Sequence, residues 1–235
     1  MSDMKFRALL GRGREWLERI RVGRPADSPP GSVGLLALRL ERDLPRGGAR
    51  GRSILVAAAD DDETGSETIV ELAWSLAEGL GHTVLLVDGT FEVAALSNAL
   101  GVSERPGVTE LIDQHAANQA ALQALVLPTM HERITMLSRG GETGSRATRS
   151  EAIRNLVSLA CAHYDFVLVQ GSIQAEGSRS LLFSSLVDAA LLVGVEERTL
   201  FENITRGQRL LNDCGANRVA LVLTHRPELR PPKGT

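Results

Sequence analysis

The sequence predicts an α/β fold: a doubly wound, mainly parallel sheet flanked by helices, with one further helix at the N-terminus. Three observations carry this. Apolar, β-branched runs alternate with stretches of helical periodicity from residue 53 to residue 224. Several of these runs are apolar at every position, as strands buried on both faces must be. The chain has 235 residues, 43% of them hydrophobic, which is enough for one sizeable core.

Taken in order, residues 1–24, "MSDMKFRALLGRGREWLERIRVGR", read as a basic amphipathic helix. Phe6, Leu9, Leu10, Trp16, Leu17 and Ile20 share one helical face, and the segment carries a net charge of +4. Gly11 and Gly13 weaken that helix by about 1 kcal/mol each. Residues 25–32, "PADSPPGS", have the composition of a linker. The body spans 33–225, and a proline-rich tail follows at 226–235. Strands are expected at 53–59 (SILVAAA), 83–88 (TVLLVD), 134–138 (ITMLS), 165–170 (DFVLVQ), 189–195 (AALLVGV) and 218–224 (RVALVLT). Helices are expected at 66–80, 107–126, 149–163 and 201–213. In such folds ligands bind beyond the carboxyl ends of the strands, where the loop at 60–65, Asp88 and Gln170 fall.

Composition excludes several classes. A net charge of −3 and an aromatic content of 3% argue against a nucleic-acid partner. Cys161 and Cys214 have neither metal-ligand nor redox spacing, which fits a reduced, cytoplasmic chain. No apolar run approaches the roughly 18 residues of a membrane span. The N-terminus lacks the apolar centre of a signal peptide.

The strand, loop and helix "SILVAAADDDETGSETIVELAWSLAEGLG" is followed by "HTVLLVDGTF", "ALGVSERPGVTELI", "HYDFVLVQGS", "DAALLVGVEERT" and "GANRVALVLTHRP". In this order and context the body resembles the tyrosine autokinase domains (BY-kinases) that accompany bacterial polysaccharide co-polymerases, within the MinD- and ParA-like P-loop ATPases. The resemblance covers about 33–225 and implies a P-loop NTPase fold. It also implies a role in making or exporting an exopolysaccharide, capsule or holdfast, and an inner-membrane co-polymerase as partner.

The departures from that family fall on the chemistry. A phosphate loop needs glycines that turn backbone N–H groups to the anion, a lysine for the β/γ-phosphates and a hydroxyl for Mg²⁺. The two glycine positions read Asp62 and Thr64, the lysine position reads Gly65, and the hydroxyl survives as Ser66 with Glu67 after it. The second aspartate motif persists as Asp88, its later partner replaced by Thr90. The aspartate that ends the family's fourth strand reads Gln170, and the following Thr-Pro-Pro reads Gly171, Ser172, Ile173. By resemblance, Ser66 and Asp88 are the vestigial cofactor positions. Asp60, Asp61, Asp62, Glu63 and Glu67 crowd the place where a triphosphate would dock. Two like charges 4 Å apart repel by about 1 kcal/mol in water and about 4 kcal/mol at an effective dielectric of 20. Several such pairs without a lysine remove most of a micromolar affinity, which is about 8 kcal/mol. The family's tyrosine-rich tail is missing too: the chain has one tyrosine, Tyr164, at a strand entry. Arg39 and Arg42 match two arginines of the family's oligomer helix, whose glutamate reads Leu36.

The expectation is therefore a pseudoenzyme: no catalytic residue, no cofactor, no metal, no nucleic-acid partner, peripheral at the cytoplasmic face of the inner membrane, with a homo-oligomer left open. Two other readings stand beside it. One is an active or weakly nucleotide-binding ATPase using Ser66 and Asp88. The other is a cation-binding regulator, since Asp60, Asp62, Thr64, Gly65, Ser66 and Glu71 have the spacing of a calcium loop. Against the latter, acids at a helix start are favourable by about 0.3–1 kcal/mol each without any ligand. A hydrolase triad built on Ser172 and Asp88 lacks the nucleophile elbow. For residues 1–24, contact with a membrane surface or a membrane-bound partner stands against packing on the chain's own body.

Overall fold

Strands without a polar side need cover on both faces, and the chain supplies it with helices from alternate connections. A computed structural model describes residues 32–44, 50–113, 118–141, 150–174 and 178–224. The N-terminal helix expected over 1–24, the linker apart from Ser32, and the tail at 226–235 lie outside the described residues.

The elements run α1 (Ser32–Asp43), β1 (Arg52–Ala58), α2 (Asp62–Trp74), β2 (Val84–Asp88), α3 (Ala95–Ala99), α4 (Val108–Asp113), α5 (Gln119–Leu125), β3 (Leu127–Pro128), β4 (Ile134–Leu137), α6 (Ser150–His163), β5 (Phe166–Gln170), β6 (Ala189–Val195), α7 (Phe201–Asp213) and β7 (Val219–Thr224). Helix α2 continues through a π-helical turn, Ser75–Gly79, and a 3₁₀ turn, Arg179–Phe183, precedes β6. The sheet order is β3-β4-β2-β5-β1-β6-β7, with only β3 antiparallel. In register, Ile54 of β1 lies between Leu168 of β5 and Ala189 of β6.

The period of two in β1 divides the core into two layers. Ile54, Val56 and Ala58 face a layer completed by Val33, Ala37 and Leu40 of α1 and by Ile69, Leu72 and Leu76. Leu55 and Ala57 face the other, with Val108 and Leu111 of α4, Ile153, Leu156 and Ala160 of α6 and Leu211 of α7. Each fully buried aliphatic side chain contributes about 1.5–3 kcal/mol, so the two layers and not helix propensity hold the elements. Arg52, buried at the start of β1, anchors α1: its Nε donates to the Leu44 carbonyl at 3.0 Å and its Nη2 to the Glu41 carbonyl at 2.9 Å. Its guanidinium also lies 5.0 Å from the centre of the Phe166 ring.

All six expected strands are present, within one or two residues of their expected ends. Two helical expectations change, and one helix, α1, was not among them. The single helix at 107–126 is two, because Asn118 caps a new start, its side chain accepting from the Ala121 amide at 2.9 Å. Helix α2 begins at Asp62, earlier than 66, for a reason set out below. The segment after Ser32 opens directly as α1. The α2 unit stops at Gly81, whose φ of +75° is open to glycine at little cost and lets the chain turn into β2.

Candidate functional site

At the carboxyl ends of β1, β2 and β5 the strands deliver Asp60, Asp88 and Gln170 to one region, as the fold class requires. The acidic run after β1 is shared among three structural tasks. Asp60 reaches sideways: its Oδ1 accepts from Asn203 Nδ2 at 2.8 Å and its Oδ2 from the Thr199 hydroxyl, tying the end of β1 to the start of α7. Asp61 is extended (φ −150°, ψ 153°) and is the N-cap of α2, accepting from the Thr64 amide at 2.7 Å. An N-cap satisfies one of the orphan amides of the first turn and contributes about 1 kcal/mol. Asp62 opens the helix itself, half-buried.

Ser66 and Gln170 close this start onto the sheet. The Ser66 hydroxyl, itself buried, is 2.9 Å from Gln170 Oε1 and 3.0 Å from the Asp62 carbonyl, and shares its proton between them. Gln170 Nε2 donates to the same Asp62 carbonyl at 2.8 Å. A carboxamide accepts from one partner and donates to the other; an aspartate here could only accept and would face the Asp62 carbonyl lone pairs. Glutamine at this strand end therefore turns the cleft between α2 and β5 into a hydrogen-bonded seam. From the next loop, Gln174 Nε2 adds a bond to the Ala58 carbonyl at 2.9 Å.

Gly65 occupies the position where a phosphate loop carries lysine. A Cβ built there would stand 3.4 Å from Gln170 Nε2 and 3.7 Å from Ala58 Cβ, which is ordinary contact. Packing alone does not forbid a side chain at this position, so the lost cation is not a steric consequence of the fold.

Asp88 is fully buried and fully occupied by its own chain. Oδ1 accepts from the Thr90 amide at 3.0 Å and from the Thr90 hydroxyl, and Oδ2 accepts from the Ser97 amide at 2.7 Å. Thr90 Oγ1 in turn accepts from the Ala95 amide at 2.8 Å. The network folds the loop after β2 into α3. The two candidate positions, Ser66 and Asp88, thus both hold intrachain bonds at this end of the sheet.

Asp62 carries the strain of the region. Its Oδ1 is buried without a hydrogen-bond partner among the described residues. Burial pushes its pKa above the ordinary carboxylate value; a Ser172 hydrogen bond opposes this, and the charges of Asp61, Asp88 and Glu92 add to it. A raised folded pKa means the fold disfavours the ionised form, and the cost is fully present at neutral pH. It fades as pH falls into the carboxylate range, where the unfolded chain also binds the proton. Asp62→Asn is expected to stabilise by roughly 0.5 kcal/mol at pH 7, a modest effect because half the carboxyl faces solvent. Urea melts of both proteins should differ at pH 7 and converge near pH 3.

The calcium-loop spacing dissolves in the structure, because Asp62, Thr64, Gly65, Ser66 and Glu71 all lie along α2 instead of in a loop. Among the described residues no group of three His, Cys, Asp or Glu side chains is placed to hold a metal ion. Ser172 is buried beside Asp62. The Tyr164 hydroxyl accepts from Thr135 Oγ1 at 3.0 Å. Arg39 and Arg42 are exposed on α1, Arg42 bonded to Asp43, while Leu36 is half-buried against the sheet.

Sequence reasoning missed Gln174, Thr199 and the pair Glu92–Arg179 (3.4 Å), with Arg179 stacked 4.9 Å from the Phe91 ring centre. Thr199 closes the stretch "DAALLVGVEERT", so its position was legible while its bond to Asp60 was not; the others depend on loop geometry.

The arrangement has clear structural parallels. A chimeric protein, CapA2B2, superposes with a TM-score of 0.69 at 19% identity, covering 87% of this chain and 88% of that one. The kinase domain of the Escherichia coli tyrosine kinase ETK gives 0.68 at 19% identity, over 83% and 75% of the two chains. The chain has the fold of the bacterial tyrosine kinase domains. It extends to the wider ATPase group: the Pyrococcus furiosus cell division ATPase MinD gives 0.58 at 20% identity, over 74% and 71%. No family model matches this chain, and no curated protein sequence matches it. The relation is therefore one of fold, and the chemistry must be argued from the site. No helix among the described residues is long and apolar enough to cross a membrane.

Proposed function

We propose that this chain is a non-catalytic, pseudokinase-like component of bacterial exopolysaccharide, capsule or holdfast export. In this reading it acts in the cytoplasm at the inner membrane and binds a polysaccharide co-polymerase there. The observation that carries the proposal is the seam at the phosphate position: Gln170 bridges Ser66 and the Asp62 carbonyl, beside a loop whose lysine position is Gly65. Catalysis of phosphoryl transfer is almost entirely positioning and charge neutralisation; the lysine position is glycine, and the Ser66 hydroxyl is bonded to Gln170 and the Asp62 carbonyl. The sole tyrosine is engaged with Thr135, which leaves no tyrosine cluster as a phosphoacceptor.

The mechanism is then scaffolding by a rigid α/β body without a nucleotide cycle. The kinase fold and the ordered strand motifs support the pathway assignment, and the basic, apolar-striped segment at 1–24 supports contact with a membrane surface or the co-polymerase. The test is catalytic. Full-length protein incubated with magnesium and γ-labelled ATP is expected to release no phosphate above background and to acquire no phosphotyrosine. Magnesium-dependent turnover abolished by Ser66→Ala would sink the proposal and favour an active ATPase with an unusual site.

A further inference from the structure

The two edges of the sheet are treated differently. One ends in β3, two residues long and containing Pro128, so its pairing capacity is blunted. The other ends in β7, six residues, VALVLT, with no charge, proline or bulge. Among the described residues β7 pairs only with β6, so one row of its backbone N–H and C=O groups faces outward. Four of the eight exposed large hydrophobic side chains among the described residues are Leu221 (49% exposed) and Leu223 (47%) on β7, and Leu200 (64%) and Phe201 (80%) at the start of α7, the helix that contacts β7. Leu223 lies close to the turn that leads into Leu200, since a Cβ on Gly194 would meet both Leu223 Cδ2 and Thr199 Oγ1 at 3.3 Å.

We propose that β7 pairs antiparallel with β7 of a second copy of this chain, about a two-fold axis through Leu221, continuing the sheet across both molecules. Three features favour a second copy over another occupant. In this register Leu221 faces its own equivalent and Leu223 faces Val219, so the apolar side of the strand is self-complementary. The other side pairs Ala220 with Val222, equally free of charge. The ends carry opposite charges: Arg218, which donates to the Asp43 carbonyl of its own chain at 3.1 Å, comes beside Thr224 of the other copy, whose carbonyl receives the Glu196 amide at 2.9 Å, with Glu197 next in the turn. Leu200 and Phe201 extend the apolar contact beyond the paired strands.

The register makes a charge-exchange test decisive. Sedimentation equilibrium of the full-length chain from about 1 to about 100 µM should show a monomer–dimer equilibrium. Leu221→Glu alone and Leu221→Lys alone each place like charges on the axis, and each should weaken the dimer by at least about tenfold. An equimolar mixture of the two should recover it. Phe201→Glu, at a site too exposed to disturb the core, should weaken it independently. Circular dichroism and melting curves confirm that the variants fold. A wild type that stays monomeric, a dimer indifferent to these changes, or a mixture that fails to recover would each overturn the proposal. So would dimers that form only after residues 225–235 are removed, because the edge would then be covered by the chain's own tail.

Discussion

Asp88→Ala is expected to cost about 3–5 kcal/mol of stability, among the largest effects of any single change at this end of the sheet. The carboxylate accepts from two backbone amides and a hydroxyl at a site with no solvent exposure. Alanine leaves the Thr90 and Ser97 amides buried without their acceptor, at about 1–3 kcal/mol each, and opens a small void. The loop that enters α3 should loosen with it, because Thr90 Oγ1 holds the Ala95 amide. Asp88→Asn keeps one acceptor oxygen and should lose about half as much. Urea unfolding of the three proteins measures the series. An Asp88→Ala protein as stable as wild type would show that the network is not what holds this loop.

Gly107→Ala should be comparably damaging through backbone geometry instead of polarity. A Cβ at 107 would lie 1.9 Å from the Ser138 carbonyl oxygen and 2.5 Å from its hydroxyl. That contact is mostly backbone and cannot be relieved by a rotamer change. The approach is fixed on both sides: Val108 donates to the Ser138 carbonyl at 2.8 Å, and the Gly107 amide donates to Glu110 Oε2 at 2.6 Å. Burial opposes ionisation of Glu110, yet this amide and that of Gly141 hold its pKa below the ordinary value, so the turn is also electrostatically set. Displacing it separates α4 from the end of β4, at a cost of about 3 kcal/mol or more. Thermal melts should show a large drop for Gly107→Ala and little change for Gly79→Ala, where nothing lies within 4 Å.

These two sites mark where sequence reading succeeded and where it stopped. The six strands were legible because each is an apolar run closed by a polar or turn residue, a pattern that two-faced burial imposes. Asp88 was legible as a strand-end residue, but its partners were not, since Thr90 and Ser97 reach it only through the turn between β2 and α3. The acid run at 60–63 was legible as a helix start, but not the division of labour within it. Only the geometry makes Asp60 a strut to α7, Asp61 the cap and Asp62 the strained member. At Gln170 the sequence shows an amide where the resemblance implies a carboxylate; the structure adds its two hydrogen bonds. The short elements β3 and α3 escaped because two and five residues carry no periodicity.

The same local economy accounts for the carboxylates at the start of α2. The first amides of α2 need acceptors whether or not an anion arrives, and the chain supplies Asp61. At the end of β5, Gln170 bonds α2 directly. Asp60 and Asp61 have separate donors, while Asp62 is disfavoured as a carboxylate first by burial and then by its acidic neighbours.

The most direct test is a calorimetric titration of the full-length protein with a non-hydrolysable ATP analogue in magnesium. Closure of the site by Gln170, Ser66 and the Asp61 cap predicts no saturable heat across the micromolar to millimolar range. Saturable one-site binding, weakened by Ser66→Ala, would contradict it and would mean that the seam between α2 and β5 opens to admit a phosphate.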